Sequence, residues 1–447
     1  MAERSFPFVP KRSKELLPGD LWSIPLSDGR FACGRVLGHL EPSTPGASVS
    51  FVGGLLDWVG DAPPDGNSVA GARVREAATA HVATIAEGGG AVTGHCDVDP
   101  DGSGDPTPSG GWGIAFVRLR AERLFVKGDP PPPHELRDVS SPLTDDMLRS
   151  FRAHRATVQF SSLLSDGDLA RLAEWLVQQP HVSLRAYGSY DHSITDLEFL
   201  RHFPRLRRFS ADALYGSLTS IGGVRHLPTD LEELGLGATK VKADLGVLQR
   251  FSALKRLFVE GPVKGIDALA SLTCLEELTL RSITLPDLSP LLPLHRLRAL
   301  DLKLGGTRDL SLLPQIGELE YLELWMVRGL CDIAAVGQLR SLRYLFLESL
   351  RQVAELPDLS GCRELRRVHL QTMKGLTSLE PLMTAPALQE LVVFDAGHLQ
   401  PEHFACLRSH PTLRAVTLGL GSRKKTSEVE ALLGLPHAGG KVPWRTV

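Results

Sequence analysis

His95 beside Cys96 is the pair in this sequence that most resembles a nucleophile with its base. Such chemistry needs the two side chains to meet, and adjacent residues on a strand point to opposite faces, so both are read as structural. Asp20 and Arg35 fall near the ends of two segments expected to pair, and an ion pair between them would be structural first and a partner contact second. Gly439-Gly440-Lys441 approaches a phosphate-cradling loop but fails it, because Leu435 stands where the first glycine belongs. G-x-S-x-G, H-E-x-x-H and C-x-x-C do not occur. The six cysteines, Cys33, Cys96, Cys274, Cys331, Cys362 and Cys406, are at least 31 residues apart, which suits neither a metal knuckle nor a redox pair. The expectation is no enzyme, no cofactor and no metal.

The side chains best suited to a task are those that would hold a protein surface. Tyr321, Glu323, Trp325, Tyr344, Phe346, Glu348, Arg367, His369 and Phe394 combine rings with cations and carboxylates, the types that dominate interface energetics. Arg256, Phe258, Glu260, Glu277, Thr279, Arg281, Asp301 and Lys303 occupy equivalent positions earlier in the chain. Strand propensity alone explains any one of these aromatics. The cluster of nine in successive segments is read as an exposed protein-binding patch.

What must position them is a repeat. L-x-x-L-x-L, or a close apolar variant, starts at Leu206, Leu231, Leu254, Leu275, Leu297, Leu319, Leu342, Leu365, Leu388 and Leu413, in steps of 21 to 25 residues. Alternation within each unit predicts a short strand with its leucines inward and the residues between them on an open, concave face. A following apolar series, such as Ile266, Leu269 and Leu272, has the three-residue spacing of a 3₁₀ turn. One unit cannot bury its own core, but stacked units can. The pattern resembles the bacterial leucine-rich repeats of about 22 residues. That resemblance implies an α/β leucine-rich-repeat solenoid of about ten repeats, a fold that binds partners. The family's asparagine is replaced at its positions by Leu214, Thr239, Pro262, Ile283, Gly305, Val327, Leu350, Met373, Ala396 and Gly421, so looser turns and irregular curvature are expected.

Around the array, residues 163–178 read as an amphipathic helix capped by Ser165 or Asp166 that would seal its N-terminal end. Residues 427–433 read as a short closing helix. The resulting division is a small α+β domain with a bent antiparallel sheet at 1–127, a proline-rich linker at 128–160, a capping helix at 161–181, repeats at 182–425, and a cap and tail at 426–447. In the first domain, residues 21–26 and 30–37 flank Ser27-Asp28-Gly29 as a hairpin; 49–58 and 112–125 read as strands, and 73–85 as a helix.

The run from Gly19 to Leu37 carries Gly19, Asp20, Trp22, Ile24, Pro25-Leu26, Asp28-Gly29, Phe31 and Gly34-Arg35-Val36. It resembles the start of the immunity protein 26 family of polymorphic toxin systems. The resemblance implies a protein that recognises and neutralises a cognate bacterial toxin through a large interface; a repeat scaffold with no toxin partner is the alternative. With 43% hydrophobic residues, 23% charged residues and a net charge of −3, the chain has no basic stripe for nucleic acid. The basic runs 205–208 and 423–425 read as solvated surface. No window reads as a membrane span or signal peptide, so a cytoplasmic monomer with a protein partner is expected.

Overall fold

In the computed structural model, residues 4–42, 44, 46–96, 111–113, 116–126, 134–151, 153, 155–189, 191–214 and 217–438 are described. The chain divides into two compact units, Met1–Pro132 and Pro133–Val447. The expected loop at 97–111 falls almost wholly outside the described residues, as do the four prolines at 130–133.

The first unit is a six-stranded sheet among the described residues. Its strands are β1 (Asp20–Pro25), β2 (Phe31–His39), β3 (Ser50–Gly60), β4 (Val74–His81), β5 (Val92–His95) and β6 (Gly111–Trp112), in the order β5-β1-β2-β3-β4-β6. All pairs are antiparallel except β4 with β6. The hairpin β1–β2 turns at Gly29, whose φ of 90° is one glycine adopts without strain. Trp22 lies across Gly34, where an added Cβ would stand 2.0 Å from the indole, and packs edge-on against Phe51 at 5.5 Å.

Two elements differ from expectation. Residues 74–81 form β4 and not a helix, with only α1 (Ala83–Glu87) helical beyond it. The helix preference of Ala77 and Ala78 yields to pairing with Gly54 and Gly53 on β3. Residues 116–125 form a helix, α2 (Phe116–Phe125), and not a strand. Val117 and Ala121, one turn apart, are its buried stripe, and Arg120 anchors it to Glu76 on β4, with Nε at 2.8 Å.

The second unit contains a parallel sheet of thirteen strands among its described residues. Its members are β7 (Glu135–Asp138), β8 (Ala156–Phe160), β9 (Val182–Tyr187), β10 (Arg208–Ala213), β11 (Glu233–Leu236), β13 (Arg256–Glu260), β15 (Glu277–Arg281), β16 (Ala299–Lys303), β17 (Tyr321–Trp325), β18 (Tyr344–Glu348), β19 (Arg367–Gln371), β20 (Glu390–Phe394) and β21 (Ala415–Leu418). They stack in sequence order. Two short strands, β12 (Ala243–Asp244) and β14 (Val263–Lys264), pair beside them. Neighbouring repeats meet in register, Leu278 beside Leu300 and Leu322 beside Leu345, so each leucine packs on its counterpart in one continuous apolar core. Returning segments are mostly 3₁₀, for example Ile266–Ser271 and Glu380–Thr384.

Several of these returns begin with an aspartate whose carboxylate accepts the N–H two residues on, as Asp287 does from Ser289 at 2.8 Å and Asp309 from Ser311 at 2.9 Å. Hydrogen bonds from the Ser289 and Ser311 side chains, and then from these backbone N–H groups, hold both carboxyls below the ordinary aspartate value.

The turns after the strands are regular, contrary to the looser ones expected. Ser282, Leu304, Met326, Ser349, Thr372 and Asp395 each adopt the left-handed conformation, with φ between 50° and 58°. The backbone N–H at five of them donates to the last strand residue of the next repeat: Ser282 to Lys303 at 2.7 Å, Leu304 to Trp325 at 2.9 Å, Met326 to Glu348 at 2.8 Å, Ser349 to Gln371 at 2.9 Å and Thr372 to Phe394 at 2.9 Å. A main-chain ladder thus does for these donors what a side-chain amide would do. The former asparagine positions are free to carry buried apolar groups such as Ile283, Val327, Leu350 and Met373.

The array also starts earlier than the sequence pattern suggests. Residues 135–160, expected as linker, supply β7 and β8. The expected capping helix, α3 (Asp166–Val177), is capped by Ser165 but connects β8 to β9, so it belongs to a repeat's return and does not seal the end. At the true end, β7 places Glu135 and Arg137 where leucines would sit. Glu135 accepts the Ala153 N–H at 2.7 Å, and Arg137 donates to the Met147 carbonyl at 3.2 Å and lies 4.0 Å from the Phe151 ring centroid. The closing helix, α4 (Arg423–Leu433), starts a turn earlier than expected, at the Ser422 cap.

Candidate functional site

Alternation along each strand puts one set of residues in the core and the other on the open face of the sheet. On this open face, residues from Arg155, which precedes β8, to Glu277 on β15 line one cavity of about 730 Å³. It is the face that the repeat pattern expects to be concave.

All nine residues singled out from the sequence lie on that face, on β17 to β20. Their exposure differs from expectation. Tyr344, Phe346, Glu323 and His369 are each 2% exposed or less, Tyr321 and Arg367 are also buried, and Trp325, Glu348 and Phe394 are half-buried. Strand spacing is close to ring-stacking distance, so rings at equivalent positions of adjacent strands cover one another. Tyr321 and Tyr344 stack at 4.9 Å between centroids and 7° between planes, and Phe346 meets His369 edge-on at 4.5 Å.

The polar groups among the rings are tied in as well. The Tyr321 hydroxyl donates to Glu323 at 3.0 Å, and Lys303 stands 3.3 Å from the same carboxylate. Burial and the Glu323 charge push the Tyr321 hydroxyl above its ordinary value, so it keeps the proton it donates. Arg367 lies over the Tyr344 ring, pairs with Glu390 and donates to the Ala438 carbonyl at 2.9 Å. This half of the face is a packed, internally bonded block whose Trp325, Glu348 and Phe394 edge remains partly accessible.

The open space lies on the other half of the face. The 730 Å³ cavity is walled by His134, Arg155, His181, Arg208, Glu233, Arg256 and Glu277, with Thr157 and Ser183 on its floor. An adjoining space of about 330 Å³ extends over Ser210 and Gly235 to Phe258 and Thr279. Arg208 Nε lies 3.0 Å from Glu233, which also pairs with Arg256. Burial is the main cause that pushes the Glu277 carboxyl up to about 7, with Glu276 and Asp301 adding to it and Arg155 opposing it. Burial, then the Arg155 charge, lowers the His134 imidazole. Arg256, Glu277 and Thr279 were placed on this face from sequence; His134, Arg155, His181, Ser183 and Arg208 were not. Alternation in residues 182–187 and 208–213 was the signal for Ser183 and Arg208; His134, Arg155 and His181 precede their strands and lie outside any alternating run.

In the first unit, Asp20 is fully buried and accepts from Arg4 at 2.8 and 2.7 Å, from the Leu17 N–H at 2.8 Å and lies 3.0 Å from His95 Nδ1. The expected Asp20–Arg35 pair is not formed, because the register sets Leu21 opposite Arg35. Burial pushes the Cys33 thiol up, which suits an inert core cysteine. A depression of about 870 Å³ lined by Gly317, Gly337 and Gly361 carries no cluster of reactive side chains. Among the described residues, no group of three or more His, Cys, Asp or Glu is placed to hold a metal, and no helix is long and apolar enough to cross a membrane.

In-register parallel strands, 3₁₀ returns and a single leucine core define the second unit as a leucine-rich-repeat solenoid, preceded by a small α+β domain. No family model and no curated protein matches the chain. Solved structures similar to it include an internalin C2 from Listeria monocytogenes, at 22% identity over 49% of this chain and 82% of that one, with a TM-score of 0.31. A leucine-rich-repeat protein from Leptospira interrogans is similar at 14% identity over 64% and 89%, with a TM-score of 0.37. A TLR13 chain from its complex with ssRNA13 is similar at 14% identity over 69% of this chain and 57% of that one, with a TM-score of 0.32.

Proposed function

We propose that this protein is a binding scaffold that takes a protein partner on the concave face of its repeats. The observation that carries the reading is the face itself. It has a fixed block of rings and ion pairs on β17 to β20 beside an open, charged cavity on β8 to β15. Rigid, prearranged side chains lose little entropy on binding. The test is partner capture by the full chain followed by substitution on two faces. Gly235→Trp, which fills the cavity floor, is expected to abolish capture, while Glu402→Lys on a return segment leaves it intact. The opposite pattern would contradict the reading.

The more specific reading, an immunity-type protein that neutralises a toxin, is supported by the likeness of Gly19–Leu37 to the immunity protein 26 family, a run that folds as the β1–β2 hairpin. It predicts that cells expressing a toxin encoded beside this gene survive when the chain is co-expressed and that the two purify together. Failure of both would leave the scaffold without a toxin partner.

A further inference from the structure

The cavity on β8 to β15 has a charge pattern that says what should enter it. Arg208, Glu233, Arg256 and Glu277 stand side by side on successive strands along it, and Arg155 lines it at the β8 end. Glu233 is already shared between Arg208 and Arg256. Arg155 is exposed and makes no ion pair among the described residues. Glu232 also pairs with Arg208, so Arg155 is the guanidinium of this cavity left to meet an incoming carboxylate. The floor carries the hydroxyl groups of Thr157, Ser183 and Ser210, which offer hydrogen-bond donors, then Gly235 and the half-buried ring of Phe258. Gly235 keeps it low: a Cβ there would stand 2.9 Å from that of Ser210.

We propose that this cavity docks an acidic, extended segment of the partner protein, with a carboxylate of the segment against Arg155 and the floor hydroxyls. The inference rests on the scaffold reading and narrows it to one half of the face. A fork of guanidinium N–H groups matches a carboxylate in two places at once. A nucleic-acid strand fits less well. Glu233 and Glu277 interrupt the row of guanidiniums, and Asp301 and Glu323 follow on neighbouring strands, so a polyanionic backbone would meet repeated carboxylates.

The experiment is fluorescence anisotropy of a labelled oligoglutamate peptide titrated with the full chain. Oligolysine of equal length is the charge control, and unlabelled single-stranded RNA is the competitor. The peptide is expected to bind, with affinity that falls as salt rises. Arg155→Glu should weaken it by about tenfold or more, while Arg363→Glu, outside the cavity, leaves it unchanged. Arg155 is exposed, so both variants should keep the parental circular dichroism and urea midpoint. Absence of binding, equal binding to Arg155→Glu, or displacement by RNA at lower concentration than unlabelled peptide would each overturn the proposal. If the peptide fails while Gly235→Trp still abolishes partner capture, the acidic-segment inference falls and the scaffold reading stands. Capture indifferent to Gly235→Trp removes the scaffold reading itself.

Discussion

Tyr344 and Trp325 were read from the sequence as two members of one exposed patch, yet the structure gives them different roles. Tyr344 is fully buried between Tyr321 and Arg367, so its loss opens a cavity; Trp325 lies at the half-buried edge, beside Arg281. Tyr344→Ala should cost about 3–5 kcal/mol in urea unfolding, and Trp325→Ala about 1 kcal/mol. Equal, small losses would show that the stacked block is open to solvent. Glu277 offers a second test. Its folded value of about 7 lies above the ordinary 4.5, so between those values the folded chain holds a proton that the unfolded chain has released. Stability therefore falls as pH rises through this window, and the cost is complete above it. Glu277→Gln should raise the urea midpoint at pH 8 and leave it unchanged at pH 4. A variant less stable than the parent at pH 8 would mean that the charged form is the favoured one.

The repeat turns show why element-level detail was only partly legible. Leucine spacing located the ten long-sheet strands from β10 to β21, the short pair β12 and β14 apart, since period-two burial is written directly in residue type. The turn ladder uses backbone N–H groups, which leave no residue signature, so its regularity could not be read from the missing asparagines. Thr372 sits in that ladder at φ 53°, a conformation costly for a β-branched residue. Thr372→Gly relieves about 1–2 kcal/mol of strain, offset by about 0.5–1 kcal/mol of unfolded-chain freedom. The expected net gain is about 0.5–1 kcal/mol in unfolding free energy, and a loss would show that the threonine side chain contributes more than its backbone costs. The start of the array was misread for a related reason. Glu135 and Arg137 occupy leucine positions in β7 because an end strand must meet polar groups, which erases the pattern there. A fragment of residues 133–447 should therefore run as a folded monomer in size-exclusion chromatography. One of residues 161–447, which leaves the β9 edge unpaired, should aggregate; a well-behaved shorter fragment would contradict the end described above.

Over the whole molecule, a net charge of −3 conceals a guanidinium left to meet a carboxylate at one cavity, which composition could not reveal. The concave face was legible as a face. Its division into a packed aromatic half and an open charged half was not, because that depends on which side chains become neighbours across strands. The central claim is that a partner is held in the open half. Hydrogen–deuterium exchange of the full chain, with and without saturating oligoglutamate peptide, tests it most directly. Slower exchange is expected in residues 155–160, 181–187 and 208–213, with residues 321–348 unchanged. Protection confined to the first unit, to the return segments, or to the aromatic block would contradict the claim.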